Sequence, residues 1–207
     1  MVILYPGGLA AQTAAGEQGD KPLRFDVSPI VGYRTGMTFL TAQNGQNPGP
    51  RLVLDAKSSY GMAIGFRLNE ENLVEFRWSR QDTRLHLDDG TPASNTRALL
   101  DQFHGDFTHE YILDEWPGWA RPFVMASIGA THVAGGTSSS FTRFSFGLGG
   151  GIKVHFNRHL GLRLQGQWLP LVVNPQVTVI CGGGCIVHLT SALVSQGEVA
   201  VGPVFRF

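Results

Sequence analysis

The chain is 207 residues long, the size of one domain, and only 15% of it is charged against about 25% in a typical soluble domain. Its 16 Lys and Arg balance 16 Asp and Glu, so no bulk charge favours a phosphate backbone and no nucleic-acid partner is expected. Glycine, at 27 residues, is nearly twice its usual share of roughly 7% but follows no three-residue period, which excludes collagen; 43% hydrophobic residues exclude a disordered chain.

Residues 1–24 place small residues (Ala11, Thr13, Ala14 and Ala15) after the helix-breaking Pro6-Gly7-Gly8, with no Lys or Arg before Lys21. This stretch is expected to be a signal-peptide remnant or a disordered tail. No run of 18 apolar residues occurs, so no transmembrane helix is expected.

From Phe25 onward apolar residues alternate with small or polar ones, the period of a strand. A first strand is predicted near Phe25 to Met37, with Phe25, Val27, Pro29, Val31 and Tyr33 opposite Arg34. The second, Ser59 to Leu68, sets Tyr60, Met62, Ile64, Phe66 and Leu68 against Gly61, Ala63, Gly65 and Arg67 without one break of phase. The third, Asn72 to Arg84, opposes Val74, Phe76 and Trp78 to Glu75 and Arg77. The fourth, Gln102 to Leu113, opposes Phe107 and Tyr111 to Asp106, Thr108 and Glu110. The fifth, Arg121 to Val133, sets Val124, Ala126, Ile128 and Ala130 against Ser127, Gly129 and Thr131. The sixth, Phe141 to Phe156, sets Phe144, Phe146, Leu148, Ile152 and Val154 against Ser145, three glycines, Lys153 and His155. The seventh, His159 to Leu169, opposes Leu160, Leu162, Leu164 and Trp168 to Arg163, Gln165 and Gln167. The eighth, Gln196 to Phe207, opposes Val199, Val201, Pro203, Phe205 and Phe207 to Glu198, Ala200, Gly202 and Arg206.

Connections alternate in length. Asn69 to Glu71, Asp114 to Ala120 and Asn157 to Arg158 are short; Thr41 to Pro50, Asp88 to Thr96, Gly135 to Ser140 and Pro170 to Ser195 include long polar or Gly/Ser-rich stretches. Short turns at one end and long loops at the other mark an up-and-down barrel that spans a membrane. The non-apolar face is dominated by Gly, Ser and Ala, which suit a narrow lumen better than a water-facing surface. Aromatics sort into two girdles: Tyr33, Tyr60, Phe144 and Trp168 toward the long loops, and Phe66, Tyr111, Phe156, Phe205 and Phe207 toward the short turns. The expected fold is therefore all-β, an eight-stranded antiparallel up-and-down transmembrane β-barrel over residues 25–207.

The pattern from Phe25 to the final strand, with Val199, Val201, Pro203, Phe205 and Phe207 in phase, resembles the small outer-membrane barrels of the OmpA, OmpX and OmpW kind. The resemblance implies residence in the bacterial outer membrane among its lipids, a periplasmic N-terminal tail, and a C-terminal assembly signal (Val201, Pro203, Phe205, Phe207) read by the barrel-assembly machinery. It implies a structural or surface-interaction role through four extracellular loops with an unknown loop partner. The alternative is a narrow channel for small or apolar solutes, as in OmpW-like barrels.

Ten charged residues fall on the inward face: Arg34, Arg67, Glu75, Arg77, Asp106, Glu110, Lys153, Arg163, Glu198 and Arg206. In a narrow lumen they must pair, because an unpaired buried ion is costly. Pairing Leu68 with Val74 predicts that Arg67 faces Glu75 and Phe66 faces Phe76. A plug of salt bridges is favoured over a polar conduction path. An enzyme is not expected: lipid A deacylases of this size carry His-x-Ser just after the seventh strand, and Gln167 to Pro175 holds neither residue. His104, His109 and His132 are placed near strand ends. Cys181 and Cys185 flank three glycines and are expected to form a local disulfide, with a metal site including His188 as the lesser alternative. No cofactor is expected.

Overall fold

The computed structural model describes residues 24–42, 51–88, 96–113, 115–135, 139–173, 178–180, 186–189 and 193–207. Its strands are β1 (Phe25–Arg34), β2 (Met37–Phe39), β3 (Thr41–Ala42), β4 (Leu52–Leu54), β5 (Lys57–Arg67), β6 (Asn72–Leu87), β7 (Thr96–Glu110), β8 (Ala120–Gly135), β9 (Ser139–His155), β10 (Leu160–Val172), β11 (Thr178–Ile180), β12 (Ile186–Leu189) and β13 (Leu193–Arg206). Residues 1–23, which hold most of the expected signal remnant, lie outside the described residues.

β2 prolongs β1 and β4 leads into β5, so eight antiparallel walls form a sheet that β1 closes by pairing with both β5 and β13. Among the described residues the eight walls of the belt pair on both sides, as a lipid-embedded sheet requires. Following the ladders from Phe25 through Phe66, Val74, Phe107, Ala126, Leu148, Trp168 and Gly197 returns to the first strand at Thr35, ten residues further on. A shear of ten in eight strands tilts them by about 40° and gives a backbone radius of about 8 Å. That bore is wide enough for side chains to meet across it and little more.

The alternation behaves as expected through the belt. Outward residues such as Ile64, Phe76, Phe107, Ile128, Leu148 and Val199 are exposed, while their chain neighbours are buried or, at Gly129 and Gly149, half-buried. Gly202 shows why small residues recur inside: a Cβ there would lie 1.9 Å from the carbonyl oxygen of Pro29.

Toward the long-loop end the pattern inverts. On β6 the outward series runs Val74, Phe76, Trp78 and then Arg80, Asp82, Arg84; the inward series runs Glu75, Arg77, Ser79, Gln81, Thr83 and then Leu85. Leu85 joins Met37, Phe39, Leu52, Leu54, Ala98, Leu100, Val133, Leu171, Val173 and Val194 in a buried apolar cluster, with Phe141 against it. This collar is built like a soluble barrel, polar outside and apolar inside, and stands above a belt built the opposite way.

Several expectations change here. β8 runs to Gly135 and β9 starts at Ser139, so both ends of the stretch expected as a long third loop, Gly135 to Ser140, are strand. The long segment from Pro170 to Ser195 is likewise not all loop: it includes the end of β10, β11, β12 and the start of β13, and β12 pairs with both β11 and β3. The first hairpin pairs Phe66 with Val74, Arg67 with Leu73 and Ile64 with Phe76, two residues away from the expected register. The turn residues explain the shift: Asn69 Oδ1 accepts the Glu71 and Asn72 N–H groups (3.0 and 2.7 Å), and Leu68 N–H donates to the Asn72 carbonyl (2.9 Å). An Asx turn therefore tightens the loop that side-chain parity alone left free.

Candidate functional site in the barrel lumen

The strands aim every predicted lumen charge inward. All ten lie inside the barrel; Arg67 and Arg206, at the short-turn mouth, are half-buried and the other eight are buried. They sort into layers along the axis.

At the short-turn mouth Arg67 binds Asp26 (2.8 Å) and Glu110 (3.0 Å), and Lys153 Nζ reaches Glu110 (2.7 Å) and Asp26 (3.7 Å). Arg206 lies 3.6 Å from Asp26 and 3.8 Å from Glu110, and contacts His155 Nε2 at 2.9 Å. Asp26 was absent from the sequence-derived set, although its position between Phe25 and Val27 carries the inward phase. With it, the set's six cations meet five anions instead of four.

The next layer corrects the expected partner of Glu75. Its carboxylate binds Arg163 (2.6 Å) and accepts from Thr108 Oγ1 (2.8 Å), while Gly65 rather than Arg67 stands opposite it in the ladder. The Arg163 guanidinium lies 4.9 Å from the centre of the Phe123 ring, and Lys153 Nζ lies 5.6 Å from it. Phe123 is a buried aromatic on the lumen side, which sequence reasoning missed because Phe suggests lipid. Its ring face offers two crowded cations a partner that adds no charge.

In the third layer Arg77 grips Asp106 with two bonds (2.7 and 3.2 Å) and reaches Gln167 and Ser127. Arg34 binds Glu198 (3.0 Å) and Ser79 (2.7 Å). Glu198 also accepts from Ser59 and Gln167, so Gln167 bridges the two ion pairs across the bore. His104 is not at a strand end: it sits within β7, buried, 3.0 Å from Ser145 Oγ. Gln196 and Gln81 join at 3.1 Å above this layer, and the apolar cluster closes the loop end.

Arg34, Glu110, Lys153 and Arg163 each have 0% of their surface exposed. These four side chains are closed in on every side by their neighbours in the bore. Among the described residues the arrangement ties the walls together by ion pairs across the bore, which can rigidify the barrel. His109 and His132, by contrast, bond Asn72 (2.9 Å) and Thr142 (2.8 Å).

On β13, Val201, Pro203 and Phe205 face outward, and Phe207 follows the strand's end with its backbone exchanging bonds with Phe25 (3.1 and 2.9 Å). Cys181 and Cys185 lie outside the described residues, as do the side chains of β12, including that of His188.

No protein-family model matches the chain, and no curated protein does. Among solved structures it is similar to Neisserial surface protein A at 12% identity, covering 88% of this chain and 97% of that one with a TM-score of 0.58. The outer membrane protein OprG from Pseudomonas aeruginosa is similar at 9% identity over 92% of this chain and 98% of its own, TM-score 0.60. The outer membrane protein AlkL is similar at 13% identity over 100% and 97%, TM-score 0.56. With its outward apolar belt and inward charges, the chain has the fold of the small eight-stranded outer-membrane β-barrels.

Proposed function

We propose that the protein is an integral outer-membrane barrel with a plugged lumen, whose role is structural or interactive and is exercised at its loop end. The observation that carries this reading is the burial of eight of the ten predicted lumen charges beneath an apolar collar. Conduction needs a continuous wetted path, whereas here the charged groups are spent on one another and the mouth above them is closed by Leu, Val, Met and Phe. Rigid walls that present connecting segments at one end suit binding, because function on such scaffolds concentrates in loops. The outward phase of Val201, Pro203, Phe205 and Phe207 supports their role as the assembly signal for the barrel-assembly machinery.

Single-channel recording in planar bilayers separates this reading from that of a narrow channel for small or apolar solutes. The plugged barrel gives no conductance steps and no solute uptake in liposomes; reproducible steps or uptake would replace it with the channel. Membrane fractionation and heat-modifiable migration test the location. A lipid-modifying hydrolase has less support, since Gln167 to Pro175 holds neither His nor Ser and the His104–Ser145 pair is sealed in the lumen.

A further inference from the structure

The outer wall at the loop end carries an arrangement that packing of the barrel does not require. Tyr60 and Trp78 meet edge to face with ring centres 6.2 Å apart, marking the girdle, and Arg80 lies 5.8 Å from the centre of the Trp78 ring. Just beyond, beside the break between β4 and β5, a cavity of about 660 Å³ is lined by Lys57, Ser58, Asp82, Thr83, Arg84 and Arg97. Arg97 is held by Asp82 and Arg80 by Asp101. Lys57 and Arg84 have no ion-pair partner among the described residues, so the lining sets three cations, Lys57, Arg84 and Arg97, against the one carboxylate of Asp82, just beyond the Tyr60–Trp78 girdle.

A second cavity, of about 610 Å³, shares Ser58 with the first and runs down the lipid-facing wall over β1. Gly32, Val31, Tyr33, Tyr60, Leu164 and Val199 are among the residues that line it. A cationic pocket above the girdle thus opens into an apolar groove below it. A protein strand would find no unpaired ladder there, and a soluble anion would have no use for the groove. A phosphorylated lipid fills both parts, since its headgroup carries the charge that Lys57 and Arg84 lack and its chain is as apolar as the groove.

We infer that this wall holds one phosphorylated lipid of the outer leaflet, its phosphate between Lys57, Arg84 and Arg97 and one acyl chain in the groove over β1. The inference rests on the barrel lying in a bilayer with its loop end in the outer leaflet. Its test does not, because binding is read on purified protein.

The probe is lipid A, a diphosphorylated and acylated disaccharide, added to the barrel in uncharged detergent and counted by native mass spectrometry. Wild-type protein is expected to retain it, and to retain the dephosphorylated form at least about tenfold less. The K57E/R84E variant is expected to lose retention by a similar factor, whereas R24E, at the opposite end of the barrel, keeps it. Inorganic phosphate at millimolar concentration does not displace the lipid. Equal retention by K57E/R84E, or equal retention of the dephosphorylated form, overturns the site; displacement by phosphate alone overturns the lipid as its occupant. Heat-modifiable migration confirms that each variant is folded, and K57Q/R84Q replaces any charge reversal that is not.

Discussion

Pro29 and Pro203 face each other across the seam that closes the barrel. The register from Val27–Phe205 to Val31–Val201 sets them opposite, and Phe25 and Phe207, four residues away on each strand, exchange both of their backbone bonds. Bonding pairs recur every second residue in an antiparallel ladder, so the two prolines occupy a position where two N–H groups should donate and neither has one. Two ladder bonds are missing from the seam.

The P29A/P203A variant restores both donors. If each of the two new bonds contributes about 1 kcal/mol, the neighbouring amides of Val31 and Val201 should exchange with deuterium roughly 5- to 30-fold more slowly in micelles. Ala126 and Leu148, on the β8–β9 ladder, serve as the reference and should not change. Unaltered protection at Val31 and Val201 would show that the seam is not weakened there.

Glu75 and Arg163 make the second prediction. Both are buried, 2.6 Å apart, and each leaves the other uncompensated if it alone is removed. Glu75→Met and Arg163→Met should each destabilise the barrel by about 3–5 kcal/mol, and the double variant by clearly less than either. Urea unfolding in lipid vesicles reads all three. Additive losses would mean that the pair is not coupled.

The strands and their faces were legible because a transmembrane wall obeys one rule for ten or so residues. Val74, Phe76 and Trp78 against Glu75, Arg77 and Ser79 leave no second interpretation. The collar was not legible, since the rule reverses where lipid ends. Leu85 points inward as Arg84 points outward, and the phase slips at Thr35-Gly36 and Asp55-Ala56, so Met37, Phe39, Leu52 and Leu54 fall out of step with the strands they extend. Lumen partners were half legible. Parity placed Glu75 and Arg67 inside, but choosing Arg163 for one and Asp26 with Glu110 for the other requires the register of several walls, and an Asx turn at Asn69 decided the first of them.

The collar gives a third prediction. Leu100 is wholly buried in the apolar cluster, so Leu100→Ala should cost about 2–5 kcal/mol. It should still give no conductance, because the Arg77–Asp106 and Arg34–Glu198 layer below remains intact. Conductance steps in this variant would make the collar, rather than the ionic layers, the seal.

Ile180 and Ile186 pair directly, and Cys181 and Cys185 are their neighbours in sequence. Opposed strand residues lie about 4.5–5.5 Å apart at Cα, within the range a disulfide spans. On the proposal that Cys181 and Cys185 are bridged, the unreduced protein should take up no thiol label, and label should add at both cysteines only after reduction. Labelling without reductant would rule the bridge out.

The two faces of a single wall supply the last prediction. Ile64 stands opposite Phe76 on the outside, both exposed, and lies on its strand between the girdle residues Tyr60 and Phe66, whereas Gly65 stands opposite Glu75 on the inside. Arg at position 64 would place a charge in the hydrocarbon and should cost about 2–4 kcal/mol in lipid. Outside a bilayer the same side chain meets solvent, so the loss should shrink when unfolding is measured in short-chain detergent. At Gly65 the cause is different: a Cβ there would lie 3.0 Å from Leu73 Cδ1 and 3.1 Å from Glu75 Cγ, and those contacts are the same in any solvent. Gly65→Ala should therefore destabilise by a similar amount in lipid and in detergent, since its effect is crowding within the lumen. If the Arg variant at 64 is equally stable in both media, or the Gly65 variant differs between them, the outward and inward faces have been exchanged.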